Sequence, residues 1–160
     1  MKDHHSFSVI SQSAVPHHPV SFSDALRSRV DEPLKLVSVR LIGAHRLRLV
    51  GVLGRGVPRP FGALANPPDF PPRDYPFTLQ PVDQVWVPPR GGVTGAQGAE
   101  IVVGVELVGP AKGWSQGFDV AYRRRGRGRL EHERLAFGLV VCPASTAADD
   151  CTTDLVTPRR

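Results

Sequence analysis

Five arginines fall within seven residues, Arg123-Arg124-Arg125-Gly126-Arg127-Gly128-Arg129, the densest run of one chemistry in the sequence. Like charges packed this closely cannot all be paired internally, and in isolation they repel one another. Phosphate, lipid headgroups, a polyanion or an acidic protein surface would relieve that repulsion through charge-assisted hydrogen bonds. Asp119, Glu131 and Glu133 are near enough in sequence to act as cross-strand partners instead. Two outcomes stand open: a solvated, partly paired turn, or an edge that binds an anion or a partner. Stacking of bases would need aromatics on the same face, and Tyr122 alone is adjacent in sequence.

The two cysteines, Cys142 and Cys151, suit one disulfide. The eight residues between them, PASTAADD, are small and polar and can fold back. Two free thiols in a reducing compartment are the alternative. A zinc site would need more ligands at CxxC-like spacing, so no metal and no organic cofactor are expected. The pairs His4-His5 and His17-His18 each put at most one ring on each face of a strand, which suits a solvated arm or weak adventitious binding of a transition metal. His45 sits in a Gly-Ala-His turn with no nucleophile or carboxylate patterned around it. No phosphate loop, Gly-x-Ser-x-Gly elbow, HExxH pair or carboxylate dyad occurs. Glu131 and Glu133 share a strand face, a spacing common on solvated strands. Trp86 and Trp114 read as core or loop-anchoring residues.

The elements that must position these groups are strands. Phe118, Val120 and Tyr122 alternate with Asp119, Ala121 and Arg123, and beyond the turn Leu135, Phe137, Leu139 and Val141 alternate again. This predicts a long hairpin over 118–142, with Gly126 and Gly128 supplying positive φ at its tip. LKLVSVRLI (34–42) and the alternating run 46–53 are expected to pair as a second hairpin across the turn 43–45. VSFSDALRSR, from Val20, fits a strand or a single helical turn. FSVISQSAV, near the N-terminus, suits a short edge strand. FTLQPVDQVWV (77–87) and EIVVGVELV (100–108) add strand character. Between them, residues 54–76 hold seven prolines and must be a long loop, with Phe61, Phe70 and Tyr75 as aromatic anchors.

At 160 residues the chain has the size of one domain, read as an N-terminal arm or edge strand (1–19), a body (20–151) and a frayed tail (152–160). Gly 16 and Pro 16 exceed average usage and demand many turns. About seven to nine short strands between such turns, without a long amphipathic helix, give an all-β antiparallel sandwich. The net charge of +5, carried mostly by arginine, suits acidic partners but not a dedicated nucleic-acid binder. No apolar run approaches the ~18–20 residues of a membrane-spanning helix, and the first ten residues lack the apolar core of a leader.

DEPLKLVSVRLIGAHRLRLVGV, VPPRGG, AEIVVGVEL, GFDVAYRRRGR and LAFGLVVC follow one another in an order that resembles a group of uncharacterised extracytoplasmic proteins of actinobacteria. The resemblance covers about residues 20–142 and rests on strand and turn punctuation. It implies an immunoglobulin-like sandwich that follows a leader or membrane anchor, a pattern from which this chain is expected to depart in lacking a leader. DEPLKLVSV is also similar to pieces of periplasmic copper chaperones, but Met1 is the only methionine, so their ligand set does not carry over. The expectation is a non-enzymatic, extracytoplasmic interaction or structural module with a protein partner, part of a membrane-associated or multi-chain assembly. A polyanion-binding module acting through Arg123, Arg124, Arg125, Arg127 and Arg129 is the alternative, and a small enzyme of unrecognised type is third.

Overall fold

The computed structural model describes residues 8–57, 64–65, 69–90, 98–147 and 150–151. Among them run twelve strand segments: β1 (Ser8–Ala14), β2 (Val20–Leu26), β3 (Leu34–Ile42), β4 (Leu47–Val57), β5 (Leu64–Ala65), β6 (Gln80–Pro81), β7 (Trp86–Val87), β8 (Gly98–Leu107), β9 (Gly113–Ser115), β10 (Gly117–Arg124), β11 (Leu130–Leu135) and β12 (Phe137–Pro143). They form sheets of order β5-β2-β8-β4-β6, β11-β10-β3-β7 and β1-β12-β9. The chain is an all-β sandwich. One core fills the space between the five-stranded sheet and the other two, with Phe22, Ile101, Val103 and Val105 from one side and Leu36, Val39, Phe118 and Leu139 from the other. A 3-10 turn, Val82–Gln84, closes one side of the sandwich, where fully buried Val85 accepts a hydrogen bond from the Leu36 amide at 3.0 Å.

The predicted hairpin over 34–53 does not form. β3 pairs with β10 and β7, whereas β4 pairs with β8 and β6. Both strands carry an apolar face, and an arch that places them in opposite sheets buries both faces against one core. Gly43 (φ +56°) and Arg46 (φ +53°) make the crossing, and His45 bridges to Trp114 through two backbone hydrogen bonds of 2.8 and 2.9 Å.

The long hairpin over 118–142 exists with one interruption. Phe118 faces Leu135 and Ser115 faces Leu139, so the first strand advances three residues where the second advances four. Ala136 is the extra residue, and such a bulge bends a strand. Beyond it β12 enters a different sheet and takes β1 as a parallel neighbour, Ser8 opposite Phe137 through Ala14 opposite Pro143. At the tip Gly126 alone adopts positive φ (+76°); Gly128 does not.

The proline-rich stretch contributes structure of its own. β4 extends into it as far as Val57, and β5 pairs with Phe22 and Ser23. Phe70 lies flat on the outer face of the five-stranded sheet, above Gly51 and Gly104, where a Cβ at Gly104 would overlap its ring. Tyr75 stands edge-on to Phe77 with centroids 6.2 Å apart. Phe61, the pair His4-His5 and the tail from 152 lie outside the described residues. Among the described residues no helix is long and apolar enough to cross a membrane.

By alternation Asp24 shares the face of Val20, Phe22 and Leu26 on β2. Burial pushes its carboxyl above the usual carboxylate range, and the Ala25 amide, which donates to Oδ1 at 2.7 Å, pulls the other way. A carboxyl with a raised folded-state value favours the fold at pH below its unfolded value, and that contribution is lost as pH rises through the folded value. Asp24→Asn keeps the acceptor for Ala25 and is expected to stabilise the protein at pH 7 by about 1 kcal/mol. Near pH 3 the difference should vanish. Urea midpoints of parent and variant at both pH values check this, and equal differences would refute it.

Candidate functional site

The arginine cluster is built where β10 runs out. The Arg127 amide donates to the Arg124 carbonyl at 3.1 Å, closing a turn, and the Arg125 amide donates to the Pro33 carbonyl at 3.3 Å, tying the tip to the start of β3. Five arginines then divide into one and four. Arg124 is taken up internally: its Nε lies 2.8 Å from Glu131 Oε1, its Nη2 donates to Glu131 Oε2 at 3.0 Å, and its Nη1 donates to Glu32 at 3.4 Å. Among the described residues no carboxylate comes within 4.0 Å of the side chains of Arg123, Arg125, Arg127 or Arg129, and all four are exposed. Of the three acidic residues offered by the sequence, only Glu131 neutralises a tip arginine. Asp119 instead meets His132 Nδ1 at 2.9 Å. Glu133 faces a cleft between the sheets.

Cross-strand register carries the charge beyond the tip. Residues directly opposite on neighbouring strands share a face. Trp86 lies opposite Lys35, Lys35 opposite Arg123, and Arg123 opposite Leu130, which makes one exposed row across all four strands of the β11-β10-β3-β7 sheet. Lower on the same face Arg40 and Arg134 flank Asp119 from either side. Among the described residues Lys35, Arg40, Arg123 and Arg134, with Arg125, Arg127 and Arg129 at the tip, outnumber Asp119, the one carboxylate that cross-strand register puts in these rows. Their sum exceeds the +5 of the whole chain, so the rest of the molecule is close to balanced.

The aromatic residue on this face is not the one adjacent in sequence. Tyr122 turns inward, where burial first, then Glu131 and Glu133, push its hydroxyl above the usual value. Trp86 arrives instead through β7 and is 43% exposed rather than anchored in the core. Lys35 Nζ lies 5.9 Å from the indole centroid. Among the described residues, Pro33, Trp86 and Arg125 line a notch of about 320 Å³. No sequence-local signal placed Trp86 here, because its neighbours Lys35 and Arg125 lie 39 or more positions away. Trp114 is half-buried, with the His45 ring stacked on it at 4.2 Å.

A second cavity, about 300 Å³, opens between the sheets beside β2 and β11. Leu26, Leu34, Leu36, Val87 and Val120 floor it, and Arg27, Ser28, Arg29 and Glu133 stand around its mouth. Its polar groups do not form a nucleophile, a base and an orienting partner in sequence: the Ser28 hydroxyl bonds the backbone of Val30 at 3.0 and 3.1 Å, and the Tyr122 hydroxyl reaches Glu131 at 3.5 Å. Among the described residues no three His, Cys, Asp or Glu side chains converge as a metal site, and His17 faces Glu106 alone at 3.9 Å. Set against known proteins, the chain matches no family model and no curated sequence.

Proposed function

We propose that the protein is a non-catalytic interaction module, an immunoglobulin-like sandwich of an extracytoplasmic compartment, which docks an anionic partner on the outer face of the β11-β10-β3-β7 sheet and its arginine tip. The observation that carries this reading is the division of the cluster: one arginine is consumed by the fold, and four are left without a carboxylate among the described residues, on a face that already holds Lys35, Arg40 and Arg134. Guanidinium groups held this way repel one another until an anion intervenes, and Arg presents donors in a fork that matches carboxylate, sulfate and phosphate. The extracytoplasmic part is supported by the bond between Cys142 and Cys151, since such bonds persist in oxidising compartments. The resemblance over residues 20–142 points the same way.

Immobilised heparin serves as a polyanion probe. Replacing Arg123, Arg125, Arg127 and Arg129 by serine is expected to lower the salt needed for elution and to flatten the salt dependence of binding, by about one logarithmic unit of slope for each contact removed. Arg27→Ser with Arg29→Ser, which takes two charges from the mouth of the cleft, should change elution far less. A quadruple variant that elutes with the parent sinks the reading.

A further inference from the structure

Charge explains the arginines on this face but not the indole beside them. An exposed tryptophan at the end of a cationic row offers a flat surface whose π face is negative, and such a face attracts the weakly positive C–H groups of a ring laid upon it. Pro33 walls the notch on another side, and Arg125, its backbone held by the Pro33 carbonyl, supplies a guanidinium. Arg123 stands in the same row two strands from Trp86, about 10 Å away at the usual strand spacing. At about 320 Å³ the notch is at the small end of ligand sites, the scale of a sugar ring rather than a folded surface.

We infer that the notch between Pro33, Trp86 and Arg125 is a subsite for one acidic sugar unit of an anionic polysaccharide. The ring's C–H face lies on the indole, and its carboxylate or sulfate meets Arg125, with Arg123 placed for the next unit's charge. The inference rests on the anionic-partner reading above and narrows it. The Asp and Glu side chains that give an acidic peptide its charge have no flat apolar face to set against Trp86. Single-stranded nucleic acid is held by successive stacking platforms, whereas among the described residues this face carries one indole and no Tyr or Phe. Lys35, 5.9 Å from the indole centroid, steadies the platform by a cation–π contact.

The test compares oligogalacturonate with poly-glutamate of matched charge, by titration of the folded protein. The parent is expected to bind both and to prefer the uronate. Trp86→Ala, at an exposed site, should weaken uronate binding about tenfold, the scale of one lost stack, and leave poly-glutamate binding unchanged. Arg125→Gln should weaken uronate binding with Trp86 intact, and uronate should perturb the fluorescence of the parent but not of Trp86→Phe. If Trp86→Ala changes neither ligand, or both equally, the subsite falls while the basic face stands. If the parent binds neither, the basic-face reading fails and takes the subsite with it. Trp86→Ala weakening oligothymidylate while sparing uronate would overturn the sugar assignment in favour of a base.

Discussion

Arg55→Ala is expected to destabilise the fold by about 3–5 kcal/mol, the cost of leaving a buried charge without its partner. Glu100 projects from the outer face of β8 and is 1% exposed. The Arg55 guanidinium reaches Glu100 Oε2 through both Nε and Nη2 at 3.0 Å, and it lies over the Phe77 ring at 3.4 Å. Tyr75 hydrogen-bonds the same carboxylate; burial first, then Glu100, push its hydroxyl well above the usual range. The pair therefore holds segment 69–79 against the sheet as well as satisfying a charge. Arg55→Met combined with Glu100→Gln should recover much of the loss, because it removes both charges at once. Urea midpoints of the parent, Arg55→Ala and the double variant at pH 7 are the measurement. A cost for Arg55→Ala below about 1 kcal/mol, the value of an exposed pair, would show that Glu100 is not held as described.

This network also marks where the sequence stops being legible. Alternation in EIVVGVELV correctly puts Ile101, Val103, Val105 and Leu107 on the core side, because each strand needs one dry face. The other side of the strand is also buried, by a proline-rich stretch whose sequence announces only irregularity. Nothing beside Glu100 in the sequence signals its burial, and its partner stands 45 positions away. The same limit governs pairing. Period-2 patterns say which side chains face inward, but 34–42 and 46–53 satisfy them equally as a flat hairpin or as an arch between sheets, and only the shared core selects the arch. At Ala136 a single extra residue, with no compositional sign, turns one long strand into members of two sheets.

The candidate site was half visible for a related reason. A cluster of like charges is local and survives any fold, so the tip could be read directly. Which arginine is spent inside depends on Glu131 across the hairpin and on Glu32, 92 residues away, and the sequence offered Asp119 and Glu133 as equal candidates. Trp86 reaches the basic face through two residues of β7, too short a strand for periodicity to orient.

Breaking the bond between Cys142 and Cys151 is expected to cost about 2.5–3 kcal/mol on the chain-entropy model, with the pair nine positions apart. For a chain of this size that lowers the melting midpoint by about 5–10 °C. The pairing is built into the fold at both ends. Cys142 ends the buried run of β12 on the side away from the main core, and with Val140 it forms a small second cluster against which Trp114 and Cys151 pack. His45 stacks on Trp114 and ties it to the arch between β3 and β4. The Cα atoms stand 5.9 Å apart, within the normal span of a disulfide. Cys151→Ala separates the bond from the packing of Cys142, since the inner side chain stays in place. It should melt several degrees below the parent under oxidising conditions and match the parent once the parent is fully reduced. Because Cys142 is wholly buried, reductant should act slowly on the folded protein and quickly in denaturant. Alkylation of oxidised, denatured parent without reductant decides the point by mass: no alkyl group is expected, and two would mean that both thiols are free and that the strongest support for an oxidising compartment is gone.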